Sequence, residues 1–214
     1  MEPKKRNRRS GLPQERGRRR RRQLQQSALA MLAETRFQDL TFQSIADRAG
    51  VPLASCYHFY GSKLDLVRAL ADQLTDAYLD RVFDDEVYEG AADWQECIRR
   101  YISVSVEHHA RSKAELQIFF SGDVPLALRE DALNREKVIG ARLLEILAHR
   151  YDMPDVPNAD DVFFRAVEIA RTVLALDYQQ HGELTAASVA EAVRAVSGYL
   201  LNYLPPVLPA AEGA

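Results

Sequence analysis

The sequence predicts an all-α protein made of a small three-helix unit near the N-terminus and a larger helical unit after it. Three observations carry this. From about Arg18 onward apolar residues recur at helical spacing in nearly every segment. No alternating β-branched run and no Asn-Gly hairpin turn is present. Glycine, proline and small polar residues punctuate the periodic segments at helix-length intervals.

Helix 1 is expected over about Arg18 to Thr35, with Leu24, Ala28, Met31 and Leu32 on one face. Thr41 is placed to cap a short second helix, about Phe42 to Arg48. Ala49-Gly50-Val51 follows as a turn, because glycine enters the left-handed conformation at little cost. A third short helix runs from Pro52, a residue tolerated in a first turn, to about Phe59. Tyr60-Gly61-Ser62 breaks the chain, and Ser62 caps a long helix from Lys63 to about Phe83. Further helices are expected near 92–110, 113–120, 124–150, 160–181 and 186–204. The Pro/Ala-rich end, 205–214, reads as a flexible tail.

A chain of 214 residues, 47% hydrophobic and 28% charged, can bury a sizeable core. Its longest apolar stretches, such as Val173 to Leu176, fall far short of the roughly 20 residues that span a bilayer. No apolar segment of the signal-peptide kind follows the basic N-terminus, so the expected location is cytoplasmic, with no membrane partner. The net charge of −3 hides a strong asymmetry. The first 22 residues hold 11 Lys/Arg against Glu2 and Glu15, a charge of +9, which leaves −12 on the rest. Residues 1–17 therefore read as a basic, disordered arm suited to a polyanion.

The two short helices around Ala49-Gly50-Val51 form a helix-turn-helix candidate, a motif whose second helix enters the DNA major groove. Helical corners of this kind are common, and the basic arm upstream with Ser55, Tyr57, His58 and Lys63 downstream is what points to DNA. At these residues the sequence resembles the tetracycline-repressor (TetR) family of bacterial regulators. The matching positions are Leu24, Ala28, Leu32, Phe37, Thr41, Ile45-Ala46, Ala49-Gly50-Val51, Ser55, Tyr57, Phe59-Tyr60, Gly61-Ser62-Lys63 and Leu66.

The resemblance implies a three-helix DNA-binding domain over 18–64 and a helical effector-binding and dimerisation domain over 65–204. It implies that Thr41 and Gln43 touch DNA from the start of helix 2, that Leu53, Ala54 and Ser55 face base edges, and that Tyr57, His58 and Lys63 bind phosphates. Two departures matter. Arg36 stands where the family ends helix 1 with glycine, and a left-handed arginine would cost about 1 kcal/mol or force another cap. The recognition helix opens on Pro52-Leu53-Ala54, with no Arg, Asn or Gln for bidentate base readout, so part of the specificity is assigned to the arm.

The later helices carry apolar stripes, Phe163, Val167, Ala170, Leu174, Tyr178 and Val189, Val193, Val196, Leu200, Tyr203, that suit either a homodimer interface or the core of one subunit. Trp94, Tyr101 and His108 share a helix face, and with Phe119, Phe163 and Tyr178 they are the candidate lining of a site for a small hydrophobic ligand. The expected partners are thus a duplex DNA operator, a second copy of the chain and that ligand. The expected function is a repressor whose operator binding the ligand relieves. No cofactor is expected, and no metal. Neither Cys56 nor Cys97 has a ligand at metal spacing, and the neighbours His108 and His109 point about 100° apart on a helix. No nucleophile elbow, P-loop or dinucleotide fingerprint argues for an enzyme. The alternative from another class is a helical adaptor with a basic nucleic-acid-binding arm.

Overall fold

The computed structural model describes residues 11–123 and 125–211, with side chains from Glu15 onward. Among them are nine α-helices, two single 3-10 turns, and no strand beyond one isolated antiparallel bridge between Tyr151 and Ala210. The chain divides into two compact units, Met1–Leu70 and Ala71–Ala214.

The first unit is built from α1 (Gly11–Leu32), α2 (Phe42–Ala49), α3 (Leu53–Phe59) and the opening turns of α4 (Lys63–Val82). Its core is the spacing seen in the sequence made solid: Leu24, Ala28 and Leu32 of α1 meet Ile45, Ala46, Cys56 and Leu66, all at most 1% exposed. Thr41 caps α2 reciprocally, its Oγ1 accepting the Ser44 N–H at 3.0 Å while Ser44 Oγ accepts the Thr41 N–H at 3.1 Å. Gly50 ends α2 at φ 63°, and the Val51 N–H reaches back 3.0 Å to the Ala46 carbonyl. The strain foreseen at Arg36 does not arise. That residue is extended, at φ −71° and ψ 151°, because α1 stops at Leu32 and a separate 3-10 turn, Phe37–Asp39, makes the corner.

α1 also starts earlier than the composition suggests. Charge alone predicts a disordered arm through residue 17, yet residues 11–17 are helical, and residues 1–10 lie outside the described residues. Pro13 falls in the first turn, where a missing N–H is tolerated, so the helix anchored by Leu24 and Ala28 continues upstream through it. Phe59 and Tyr60 add to this, with the Arg21 guanidinium 5.9 and 5.8 Å from their ring centres.

The second unit contains the rest of α4, then α5 (Trp94–His109), α6 (Lys113–Phe120), α7 (Leu126–Arg150), α8 (Ala159–His181) and α9 (Ala186–Leu200). Trp94, Tyr88, Phe163, Ile98 and Ile102 are completely buried at its centre. α7 and α8 cross closely at Gly140, where a Cβ would lie 2.6 Å from the Phe164 backbone nitrogen. The terminal segment is docked through residue 211 rather than loose. Leu204 and Leu208 are buried, the Trp94 indole donates to the Pro205 carbonyl at 2.9 Å, and Asp152 N donates to Pro209 O at 2.9 Å. A buried indole needs an acceptor, and the tail supplies it.

Candidate nucleic-acid interface and ligand cavity

In the first unit the fold decides which side chains of α3 are left for a partner. Cys56 is buried, its thiol 3.5 Å from the Pro52 carbonyl, and Val51 and Tyr60 close the inner side. Leu53, Ala54, Tyr57 and His58, spaced i, i+1, i+4 and i+5, fall on the opposite face. Ala54, Tyr57 and His58 are exposed, and Leu53 and Ser55 are half-buried. Tyr57 is 54% exposed and held edge-on by Phe42 at 5.0 Å. Thr41 and Gln43 are exposed at the start of α2, where Gln43 Nε2 donates to Asp47 Oδ1 at 2.6 Å.

Lys63 differs from its neighbours. Its ammonium donates to the carbonyls of Phe37 at 3.0 Å and Leu40 at 2.6 Å and lies 4.4 Å from the Phe37 ring centre. Burial holds its pKa below the ordinary lysine value. Two of its three donors are therefore committed to closing the 3-10 turn onto α4, an arrangement with no signature in the sequence.

In the second unit a cavity of about 330 Å³ lies among α4, α5, α6, α7 and α8, at the lower end of the usual range for small-molecule sites, roughly 300–1,000 Å³. Ile102, Ile118, Phe119 and Leu174 give it an apolar wall. Tyr78, Tyr101, Ser105 and Gln179 supply polar tips, with the Tyr78 hydroxyl 2.8 Å from Ser105 Oγ. Of the six residues expected to line such a site, only Tyr101 and Phe119 do so. Trp94 and Phe163 are 0% exposed core residues, Tyr178 and His108 lie off the lining, and His109 takes the position expected of His108. Aromatic bulk at helical spacing is a poor guide to a lining, because bulk is what a core consumes first.

The charged rim is not legible in the sequence at all. Arg129, Arg135 and Arg171 line the cavity with Glu136. Arg171 Nε lies 2.9 Å from Glu136 Oε1 and 3.1 Å from Glu168 Oε1, and Glu168 Oε2 also accepts from Arg129 at 3.4 Å. Burial, and then the charge of Arg171, pull the Arg129 pKa below its ordinary value. Glu136 is 6% exposed, and among the described residues its second oxygen has no hydrogen-bond partner. The spacings Arg129–Glu136 and Glu168–Arg171 look like ordinary surface charge until α7 and α8 are packed together.

Of the stripes that suit either a dimer interface or the core of one subunit, six residues turn inward, Tyr178, Val189 and Val193 are half-buried, and Tyr203 is exposed. Phe163, Val167, Ala170, Leu174, Val196 and Leu200 are at most 3% exposed within one subunit. The surface these helices leave outside holds Ile169, Val173 and Tyr199 around a shallow depression, with exposed Leu201 and Tyr203 near the end of α9. No helix among the described residues is long and apolar enough to cross a membrane.

Comparison with known proteins agrees with this architecture. Residues 93–200 match the family model described as tetracyclin repressor-like, C-terminal domain, and residues 25–70 match that of bacterial regulatory proteins, tetR family. A TetR-family transcriptional regulator from Streptomyces coelicolor superposes with a TM-score of 0.66 at 22% identity, covering 86% of this chain and 99% of that one. A transcriptional regulator from Rhodococcus sp. Rha1 gives 0.59 at 18% identity, covering 86% and 97%. At such identities the likeness concerns the fold. Among curated proteins, an L-carnitine dehydrogenase from Bacillus cereus is 24% identical over 128 residues, 56% of this chain. The chain spans only 36% of that protein's length, and the family matches point away from an enzyme. With one family model covering half of the chain and a second covering the helix-turn-helix, the protein belongs to the TetR family and is a DNA-binding transcriptional regulator.

Proposed function

We propose that the protein acts as a homodimeric repressor that occupies a pseudo-palindromic operator and leaves it when a small molecule enters the cavity of the second unit. The observation that carries the DNA half of this reading is the outward stripe of α3, Leu53, Ala54, Tyr57 and His58, backed by a capped and buried inner side. Leu53 and Ala54 suit thymine methyl groups, whereas Ser55, Tyr57 and His58 offer donors to phosphate. Arg18, Arg19, Arg20 and Arg22, exposed on α1, add positive charge beside the motif.

The dimer reading rests on the outer face of α8 and α9. Gly198 lies there in the last turn of α9, exposed and, among the described residues outside its own helix backbone, with nothing within 4 Å of a Cβ position. Close approach of a second copy accounts for a glycine that its own chain does not require. Two-fold pairing also matches the way helix-turn-helix proteins span half-sites one turn apart.

The effector that fits the cavity is mostly apolar with one polar end. Its polar end meets the arginine rim and offers a donor to the second Glu136 oxygen, and a ligand lacking that donor leaves this one oxygen without a partner. Binding then shifts the population toward a conformer whose half-site spacing no longer fits the operator.

The test is binding of purified protein to the duplex flanking its own gene against a scrambled duplex, over a salt series. A preference of about 10³ or more for one segment is expected of a sequence-specific repressor. Equal affinity for both duplexes would overturn the operator reading.

A further inference from the structure

His108, His109 and Glu115 meet at the corner between α5 and α6 in a way that helix geometry alone argues against. Adjacent helical residues diverge by about 100°, yet the two rings converge because each uses a different nitrogen. His108 reaches with its far Nε2, 3.5 Å from Glu115 Oε2, and His109 turns its near Nδ1 to 3.0 Å from the same oxygen. All three potential ligand atoms lie within 4.8 Å of one another. His109 and Glu115 are buried, at 7% and 8% exposure, and the side chain of His108 is 16% exposed.

We propose that His108, His109 and Glu115 form a site for one divalent transition-metal ion with the ligand preferences of zinc. The donor set, two imidazoles and one carboxylate, is the mixed nitrogen–oxygen chemistry that zinc takes up. Bonds of about 2.0–2.1 Å in tetrahedral geometry place ligand atoms about 3.3 Å apart; the two carboxylate-to-imidazole distances, 3.0 and 3.5 Å, lie near that value, and the wider span of up to 4.8 Å among the ligand atoms closes by a side-chain rotation when an ion binds. A carboxylate buried against two imidazole rings puts a negative charge in a poorly solvating place, and a cation shared by all three removes it.

The rings are oriented by packing. His109 lies 4.8 Å from the Tyr78 ring, 5.1 Å from Phe119 and 5.3 Å from Phe120, and His108 meets Tyr78 at 5.6 Å. The Tyr78 hydroxyl is engaged with Ser105, so the described residues supply three ligands and the fourth position goes to water or to a donor atom of another molecule. His109 also lines the cavity, which puts the ion at the cavity's edge. Arg81 and Arg111 place positive charge near His108, against which the Glu115 carboxylate acts. The site depends on neither operator binding nor an effector.

The experiment uses untagged full-length protein dialysed against a chelator and titrated with Co²⁺, followed by visible absorption, then with competing Zn²⁺. One ion per chain with tetrahedral cobalt bands, displaced by Zn²⁺, is expected. His109→Ala and Glu115→Gln should each weaken binding by at least ~10-fold, while His149→Ala at an exposed position should bind as the wild type does. Absence of saturable binding, or Glu115→Gln and His109→Ala binding as tightly as wild type, would overturn the proposal. Should a variant fail to fold, imidazole ¹⁵N shifts of the wild type on adding Zn²⁺ decide. Movement of His108 and His109 supports the site, and movement confined to His58, His149 or His181 overturns it.

Discussion

Lys63 carries two duties that pull in different directions. The family resemblance makes it a phosphate ligand, whereas its ammonium spends two donors on the Phe37 and Leu40 carbonyls. Hydrogen bonds from a charged group are worth about 1.5–3 kcal/mol, and the partial exposure of this one places it near the lower end. Lys63→Ala should therefore lower unfolding free energy in urea by about 1.5 kcal/mol and weaken every duplex alike, not the operator alone. A variant of unchanged stability would show the two carbonyl contacts to be energetically idle. Tyr57 offers the converse case. Its ring is half exposed and held edge-on by Phe42, so Tyr57→Ala should cost stability no more than about 1 kcal/mol. The effect belongs in DNA affinity, and a melting curve beside a binding isotherm separates the two.

At the level of elements, the crossing of α7 over α8 depends on the absence of a side chain. A Cβ at position 140 would sit 2.6 Å from Phe164 N and 2.9 Å from Phe163 C, and backbone cannot step aside as a flexible side chain can. Gly140→Ala should accordingly destabilise the second unit by about 2–3 kcal/mol in thermal or chemical unfolding, even though alanine is the better helix former. A glycine in mid-helix is a signal in the sequence, since it costs about 1 kcal/mol relative to alanine, but the backbone it has to clear is not legible there. Helix positions, by contrast, are legible there. Their caps and turn glycines, Thr41, Gly50 and Gly182, act locally and are read from neighbouring letters. The cavity is legible only at Tyr101 and Phe119, because membership of a lining is set by contacts among residues as distant as Ala71 and Gln179. Trp94 and Phe163 carry the same aromatic signal into the core. The tail misleads for a similar reason: Pro and Ala suggest looseness, but Leu204, Leu208 and the hydrogen bond from the Trp94 indole hold it down.

For the whole molecule, subunit pairing and arm electrostatics make separable predictions. Gly198→Arg leaves the subunit's own packing untouched, because among the described residues outside its own helix backbone no atom lies within 4 Å of the Cβ position. Light scattering should then show a folded monomer, with operator affinity greatly reduced; an intact dimer would move the interface elsewhere. Removing residues 1–17 deletes six basic side chains, Lys4, Lys5, Arg6, Arg8, Arg9 and Arg16. If each meets a phosphate, the slope of log affinity against log salt should fall by up to about 5, and an unchanged slope would exclude the arm from the complex. A last consequence concerns α3. Its inner residues, Val51, Cys56 and Tyr60, secure the fold, while Ala54 and His58 have almost nothing to hold up. Mutations at those outward positions can accumulate without crossing the stability threshold that eliminates most variants. The regulator can thus be readdressed to new promoters, by drift after gene duplication or by a library at the bench, with the remainder of its chain left unaltered.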